Sequence, residues 1–445
     1  MDIQYFKARL FEAAAAAGFS EYELYCQNKD NVRVDIFNQE VSKYENSTLC
    51  GISFRAKYNG KMGYASSELL NESVIEFLIN AAKDNAVIVE TDDKIDIYEG
   101  DNEYPNVECF DLDLEEVGVG QIIDAAISIE KAAKEFDSRV KNMPYCFITK
   151  SKYNLLIANS KGMNISKQSN NLIAFAYCQV QQADEVKMNG EVFLSSDFKK
   201  LNPKEFGEKG AQTALDMLGV KPIKTGTYDI VIDAKAASSL LSVFFSMFSA
   251  EFAQKGFSLL EEKIGDNIAS DVVTIVDNPL LPYAVGSTPF DSEGVASFKK
   301  YVVQNGVFKT FLHNTKTAKK AGVASTGNAT KQDHRSSVGV GPTNFYIEPS
   351  EKTKEQLLVS MGNGLIIDGF AGLHSGTNPI SGEFSLQAEG HFVENGNVVH
   401  SVEQITLSGN FLNILSGIVS VADDLELKGS ITSPSIFVKG MSVSA

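Results

Sequence analysis

The apolar positions of this chain change period along its length, and each change marks a different element. From Asp2 to about Ala17, Ile3, Phe6 and Leu10 recur at helical spacing, and Gly18 follows where glycine is favoured after a helix. The period drops to two in ELYCQN, NVRVDIF and CGISFRAKYNGKMGYAS, which predicts strands, the last folded on itself at Asn59-Gly60. Asn71 caps a predicted helix through NESVIEFLINAAKDNA, where Val74, Phe77 and Leu78 share a face. An acidic, irregular stretch from about Thr91 to Glu116 reads as a surface excursion. A second long helix follows from about Gly118 to Phe136, with Ile122, Ala126 and Ile129 in register. Short strands are expected around Tyr145 to Thr149, Asn154 to Ala158 and Leu172 to Gln179. Asn202-Pro203 then opens a helix that Gly219 closes.

The proline- and glycine-bearing segment GVKPIKTGT, Gly219 to Thr227, divides the chain into a domain of residues 1–220 and one of residues 221–445. The first reads as helices with antiparallel strands, lacking the strand-helix alternation of a doubly wound sheet. The second reads as a mainly β, barrel-like or sandwich-like domain, with hairpin turns at Asn305-Gly306 and Asn395-Gly396. The fold class is therefore α+β. Near the start of the second domain, SSLLSVFFSMFSAEFAQKGF (Ser238 to Phe257) predicts one long buried helix. Leu240, Leu241, Phe244, Phe245, Phe248 and Phe252 form its apolar stripe, and Ser239, Ser242, Ser246 and Ser249 form a second row.

Composition narrows the function. A formal charge of −17 without a compensating run of lysines excludes direct nucleic-acid binding as the leading reading. The amino terminus lacks a basic region followed by a continuous apolar one, and no apolar run reaches the ~20 residues of a spanning helix, so the expected location is the cytoplasm, with no membrane partner. The five cysteines, Cys26, Cys50, Cys109, Cys146 and Cys178, are widely spaced and read as reduced thiols rather than a disulfide or zinc framework.

The residues alone identify no active site. MGNGLIIDGFAG has neither a Walker lysine nor a complete dinucleotide fingerprint, and no Gly-x-Ser-x-Gly elbow is present. None of the five histidines pairs with another at the spacing that turns two imidazoles toward one metal from a helix. His334, flanked by Asp333 and Arg335, is the best acid/base candidate, against the plainer reading of a loop histidine.

The run VGSTPFDSEGVASFKKYVVQNGVFKTFLHNTKTAKKAGVASTGNA, Val285 to Ala329, resembles the TldD/PmbA family, also called modulators of DNA gyrase, and most closely its PmbA (TldE) branch. STPFDSEG (Ser287 to Gly294) and STGNA (Ser325 to Ala329) carry the resemblance; PTNFYIEPS, FVENGNVVHSVEQITLSGN and the amino-terminal GISFRAKYNGKMGYAS extend it over the whole chain. The resemblance implies peptide-bond hydrolysis by a heterodimer. In the TldD branch a helix carries His-Glu-x-x-x-His and a late cysteine completes a zinc site, whose bound water attacks the carbonyl while the glutamate takes its proton.

Laid on that pattern, the ligand histidines fall at Ser242 and Met247 and the general base at Val243, so all three are absent here. KGSITSPSIFVKGMSVSA offers serine and threonine where the ligand cysteine belongs. What the resemblance implies is a PmbA/TldE-like subunit with no cofactor of its own, zinc being expected in a TldD-like partner. The assembly would be a heterodimer with that partner or a homodimer, acting on unfolded peptide; antitoxin degradation and trimming of peptide-antibiotic precursors are among the family's roles. Asp291, Glu293, Asn328, His334 and Asn344 are the candidates for the substrate cleft, with tight turns that maintain the domain as the alternative. Two rivals stand beside this: an active homodimeric metallopeptidase using His313, His334 and His374, and a non-enzymatic regulatory binding protein.

Overall fold

The computed structural model describes residues 2–88 and 95–445; the first four residues of the acidic excursion lie outside that range. In the first half the elements are α1 (Ile3–Ala16), β1 (Glu21–Phe37), β2 (Glu40–Tyr58), β3 (Lys61–Ser67), α2 (Glu72–Ile88), α3 (Leu112–Glu115), α4 (Val119–Phe136), β4 (Val140–Asn159), β5 (Asn164–Gln182), β6 (Glu185–Ser195) and α5 (Pro203–Leu215). The strands form one antiparallel sheet in the order β3-β2-β1-β4-β5-β6.

These strands are longer than the apolar alternation implies. ELYCQN and NVRVDIF belong to one strand, because Lys29, Asp30 and Asn31 pair with β2 on one side and β4 on the other. Pairing on both edges holds a polar stretch extended that its own propensity would leave in a turn. The even-numbered face of β1 is apolar at its two ends, with the polar Asn28 and Asp30 between them. One end of it, with Leu24, Ile52 and Phe54, is covered by Phe6 and Leu10 of α1 and Leu78 of α2. The other end, with Val34, Ile148 and Ala174, is covered by Ile129 of α4 and Ala211 of α5. The odd-numbered face presents Glu23, Tyr25, Ser53 and Arg55 toward the second half.

The second half contains β7 (Gly226–Ile232), α6 (Ala234–Phe244), α7 (Ala250–Gln254), β8 (Ile275–Asp277), β9 (Lys300–Gln304), β10 (Val307–Phe308), α8 (Thr315–Ala321), β11 (Ala329–Thr330), β12 (Gly339–Val340), β13 (Phe345–Ile347), α9 (Lys354–Met361), β14 (Gly364–Ala371), β15 (Thr377–Asn378), β16 (Glu383–Glu394), β17 (Asn397–Asn410), α10 (Phe411–Gly417), β18 (Ile418–Val421), β19 (Ile431–Thr432) and β20 (Ile436–Ser444). β14 pairs with β7, β7 with β20, β20 with β17, β17 with β16, and β16 with β14, so the ring closes into a barrel. A second sheet, β10-β9-β8-β13-β19, packs beside it. Alternate residues Ile230, Ile232, Leu365 and Ile367 join α6 in the large core, while Val231 and Ile366 on the opposite face pack against α9. The α+β class and the barrel follow the sequence reading. The three Asn-Gly turns hold too, with φ near +50° at Asn59, Asn305 and Asn395 and near +80° at the following glycines.

The long helix does not. The segment from Ser238 to Phe257 breaks into α6, a 3-10 turn at Phe245–Phe248, an extended Ser249 and the short α7. Tertiary contacts take over the backbone: Ala250 N–H donates to the Leu312 carbonyl and Leu312 N–H to that of Phe248. Meanwhile Phe244 stacks on Phe411 at 4.7 Å and Phe245 meets Phe345 edge-on at 5.1 Å. The aromatic stripe is core, as its spacing implied, but on a broken rod.

Candidate functional site

The three positions of the missing zinc motif do not converge. Ser242 is exposed at the end of α6, Val243 is half-buried, and Met247 is fully enclosed in the core. The carboxyl-terminal segment seals against the same helix. Ser433 N–H donates to Ser238 Oγ at 2.8 Å, and that hydroxyl donates to the Ala234 carbonyl at 2.6 Å. Ala234 N–H donates to Ser435 Oγ, whose hydroxyl donates to Asp424 at 2.6 Å. The close contact of helix and tail is thus made by Ser238, outside the serine row, while Ser239 turns back to the Lys235 carbonyl. Among the described residues no group of three His, Cys, Asp or Glu side chains is placed to hold a metal. A hydroxyl, a valine and a buried thioether do not fit zinc or move a proton.

The family blocks converge elsewhere, on a buried polar seam between the halves. Asp291 accepts from the N–H groups of Glu293 (2.8 Å), Val295 (3.0 Å) and Ala329 (2.9 Å), which clips STPFDSEG to STGNA. Burial first, and the Glu293 charge second, push its carboxyl above the usual carboxylate range. Asn328 donates to Asp277 at 2.8 Å and accepts from Lys300 at 3.1 Å, and Lys300 pairs with Asp277 at 3.1 Å. Asn344 donates to the Asn278 carbonyl and accepts from Gly286 N–H.

Glu293 crosses to the first half. Its carboxylate accepts from Thr315 N–H and hydroxyl at the start of α8, and its Oε1 lies 3.4 Å from Arg55, which also makes a two-pronged pair with Glu23 at 2.7 and 3.1 Å. One guanidinium therefore joins β1, β2 and the STPFDSEG block in a buried contact. Beside it Lys331 donates to Ser53 Oγ at 2.9 Å, and burial, then the Arg55 charge, push its ammonium down to about 8.

His334 is also on this seam, apart from the other candidates. It is 3% exposed, its two ring nitrogens have no hydrogen-bond partner among the described residues, and a Cβ on Gly51 of β2 would lie 2.1 Å from Nδ1. Burial, then the Arg335 charge, lower its pKa and so disfavour the protonated ring. Asp291, Glu293, Asn328, His334 and Asn344 are all buried, and the first three and Asn344 hold backbone in place. The rival triad is equally scattered: His313 and His334 are buried and His374 is exposed.

A second contact between the halves went unnoticed in the sequence. His391 Nδ1 lies 2.7 Å from Asp368 Oδ2, and Nε2 lies 3.1 Å from the Asp216 carbonyl just beyond α5. Both nitrogens face acceptors, which suits the imidazolium. Burial opposes that charge, but the Asp368 hydrogen bond and charge, with the Asp216 carbonyl, overrule it and raise the pKa. The register places Ile367 opposite Gly390 and Gly369 opposite Glu389, so Asp368 is the extra residue of a bulge aimed at the ring. With both nitrogens engaged, His391 acts as a clasp, not as a base.

Together these features describe an α+β protein with a closed barrel, a helix where a metal motif could stand, and a carboxyl-terminal segment sealed onto that helix. Matches to the PmbA/TldA metallopeptidase domain 1 (residues 22–86), central domain (112–218) and C-terminal domain (225–445) cover most of the chain, which belongs to that family. It is 28% identical to the metalloprotease PmbA homolog of Haemophilus influenzae over 97% of this chain and 94% of that one. It is 25% identical to metalloprotease PmbA of Escherichia coli O157:H7 over 91% and 88%. Among solved structures, a candidate modulator of a DNA gyrase from Thermotoga maritima superposes with a TM-score of 0.93 at 33% identity over 100% of both chains. TldE from Thermococcus kodakarensis shares the fold, with a TM-score of 0.91 at 20% identity over 99% and 100%.

Proposed function

We propose that this chain is the zinc-free subunit of a cytoplasmic peptidase of the PmbA/TldD type, pairing with a zinc-bearing TldD-like chain and acting on unfolded peptide. The observation that carries the reading is the donor set: Ser242, Val243 and Met247 stand at the motif positions, the first exposed, the second half-buried and the third enclosed in the core, and none is an imidazole or carboxylate. In this reading the chain contributes walls and assembly surface, while the partner supplies the metal-bound water and its base.

The test is zinc per chain by elemental analysis on untagged, partner-free protein, together with chelator-controlled cleavage of an unfolded peptide. Near-zero zinc and no cleavage alone, with cleavage on adding a zinc-bearing family member, is the expected result. Stoichiometric zinc with chelator-sensitive cleavage by the isolated chain overturns it. The name of the Thermotoga relative supports a second reading, a non-enzymatic modulator; capture of a target with no peptide turnover in any such mixture would favour that one.

A further inference from the structure

The odd-numbered face of the first sheet carries more than the Arg55 seam. The second half reaches this face at Tyr25, where Lys331 lies 4.4 Å over the ring, and again at Tyr177, where Lys235 of α6 lies 6.0 Å over the ring. Near the second of these contacts stands a ladder of rings that the seam does not use. The Arg33 guanidinium pairs with Asp35 at 2.6 Å and stacks on Phe147 at 3.8 Å. Phe147 of β4 lies opposite Phe175 of β5, their centroids 4.5 Å apart and their planes within 20° of parallel. Two residues on, Tyr177 lies 6.0 Å from Phe175 and is tilted by 30°, and Tyr145 meets Tyr177 edge-on at 6.5 Å. Arg33, Phe147, Phe175 and Tyr177 are half-buried, and Tyr145 is 54% exposed.

The orientation of the rings decides what they can bind. Two rings that stack side by side on neighbouring strands stand upright, with their faces toward one another and their edges outward. Phe147 and Phe175 cover each other's inner faces, Arg33 of β1 takes the far face of Phe147, and Lys235 lies over Tyr177. Cations and nucleic-acid bases bind through ring faces, which are taken here. Ring edges carry the positive end of the aromatic quadrupole and receive the face of an incoming ring. Phe175 and Tyr177 repeat such an edge at every second residue of β5, and an extended peptide repeats every two residues at about 6.7 Å. Its alternate side chains therefore come down on successive edges.

We propose that this ladder is a subsite for unfolded peptide, selecting chains that carry aromatic side chains at alternate positions. The proposal rests on the reading of unfolded peptide as the substrate class. Complementarity of charge fixes the occupant, since the electron-rich face of an aromatic side chain meets the electron-poor ring edges. The Tyr177 end abuts the first turn of α6 through Lys235, so the ladder is continuous with the helix that bears the motif positions.

The test is fluorescence anisotropy of a labelled Gly-Ser-Phe-Ser-Phe-Ser-Phe-Ser-Gly peptide titrated with the full chain, which needs neither zinc nor turnover. The native chain should bind it about tenfold more tightly than the same peptide with alanine for phenylalanine. Phe147→Leu/Phe175→Leu keeps apolar bulk at half-buried positions and removes the ring edges. It should weaken the phenylalanine peptide about tenfold and leave the alanine peptide unchanged. Phe298→Leu, at an exposed ring outside the ladder, should change neither. Far-ultraviolet circular dichroism checks that both variants fold. No binding, equal binding of the two peptides, or a double variant that binds like the native chain overturns the proposal. So does displacement of the peptide by single-stranded oligothymidylate, which would make the occupant a nucleic acid. In a mixture with a zinc-bearing family member, the double variant should raise KM for the phenylalanine peptide with kcat unchanged. No turnover by the native mixture would sink the peptidase reading alone and leave the anisotropy to judge the ladder.

Discussion

The two seams between the halves use the same residue type in opposite ways. At the Arg55 seam, His334 is packed against Gly51 with no partner for either nitrogen among the described residues, and its proton is disfavoured. At the barrel seam, His391 sits between a carboxylate and a carbonyl, and its proton is favoured. Partners decide the difference more than depth does, since burial opposes the charge in both. A seam built on Arg55 carries a permanent charge, whereas one built on His391 carries a charge that pH removes.

The largest expected effect breaks the permanent seam. Arg55→Ala leaves Glu23 and Glu293 buried without their cation and should cost about 3–5 kcal/mol in denaturant unfolding; a loss below 1 kcal/mol would show that water already reaches the seam. Next, Gly51→Ala drives a methyl into the His334 ring and should cost about 1–3 kcal/mol. His334→Ala in the same chain should recover part of that loss, and additive effects of the two changes would disprove the contact. Asp368→Asn removes the charged partner of His391 and should cost about 1.5 kcal/mol at low pH, less at high pH.

The finest test separates the histidines by pH. The folded pKa of His391 is raised, so its contribution is complete below the unfolded value near 6.5 and is lost as pH rises through the folded value. His334 has a lowered folded pKa, so its contribution is present above about 6.5 and is lost as pH falls through the folded value. Comparing the native chain with His391→Asn and with His334→Gln over pH 5 to 8 should therefore give stability differences of opposite slope. Parallel slopes would mean that the two seams do not differ in the way described. Ser242→Ala, exposed and outside both seams, sets the baseline at about 0.5 kcal/mol or less, independent of pH.

Alternation along β2 shows why one seam was half legible. Period-two spacing puts Ile52, Phe54 and Ala56 on one face and Ser53 and Arg55 on the other. Nothing local says that a loop more than two hundred residues later, carrying Glu293, covers that second face. STPFDSEG and STGNA marked Asp291, Glu293 and Asn328 as worth attention through resemblance, but which backbone groups they hold could not be read from them. His391 gave no signal at all, because Asp368 reaches it only through a bulge in the β14–β16 pairing.

The sequence by itself determined the periods of the helices and strands, the Asn-Gly hairpins, the family, and the absence of zinc-binding side chains at Ser242, Val243 and Met247. Those properties are written in residue type and short-range spacing. Only the tertiary structure decided that the long apolar segment breaks at Ser249, that one guanidinium ties three elements together, and that a bulge in β14 aims Asp368 at His391. Each of these depends on what packs from far along the chain, where burial and pairing outweigh local preference.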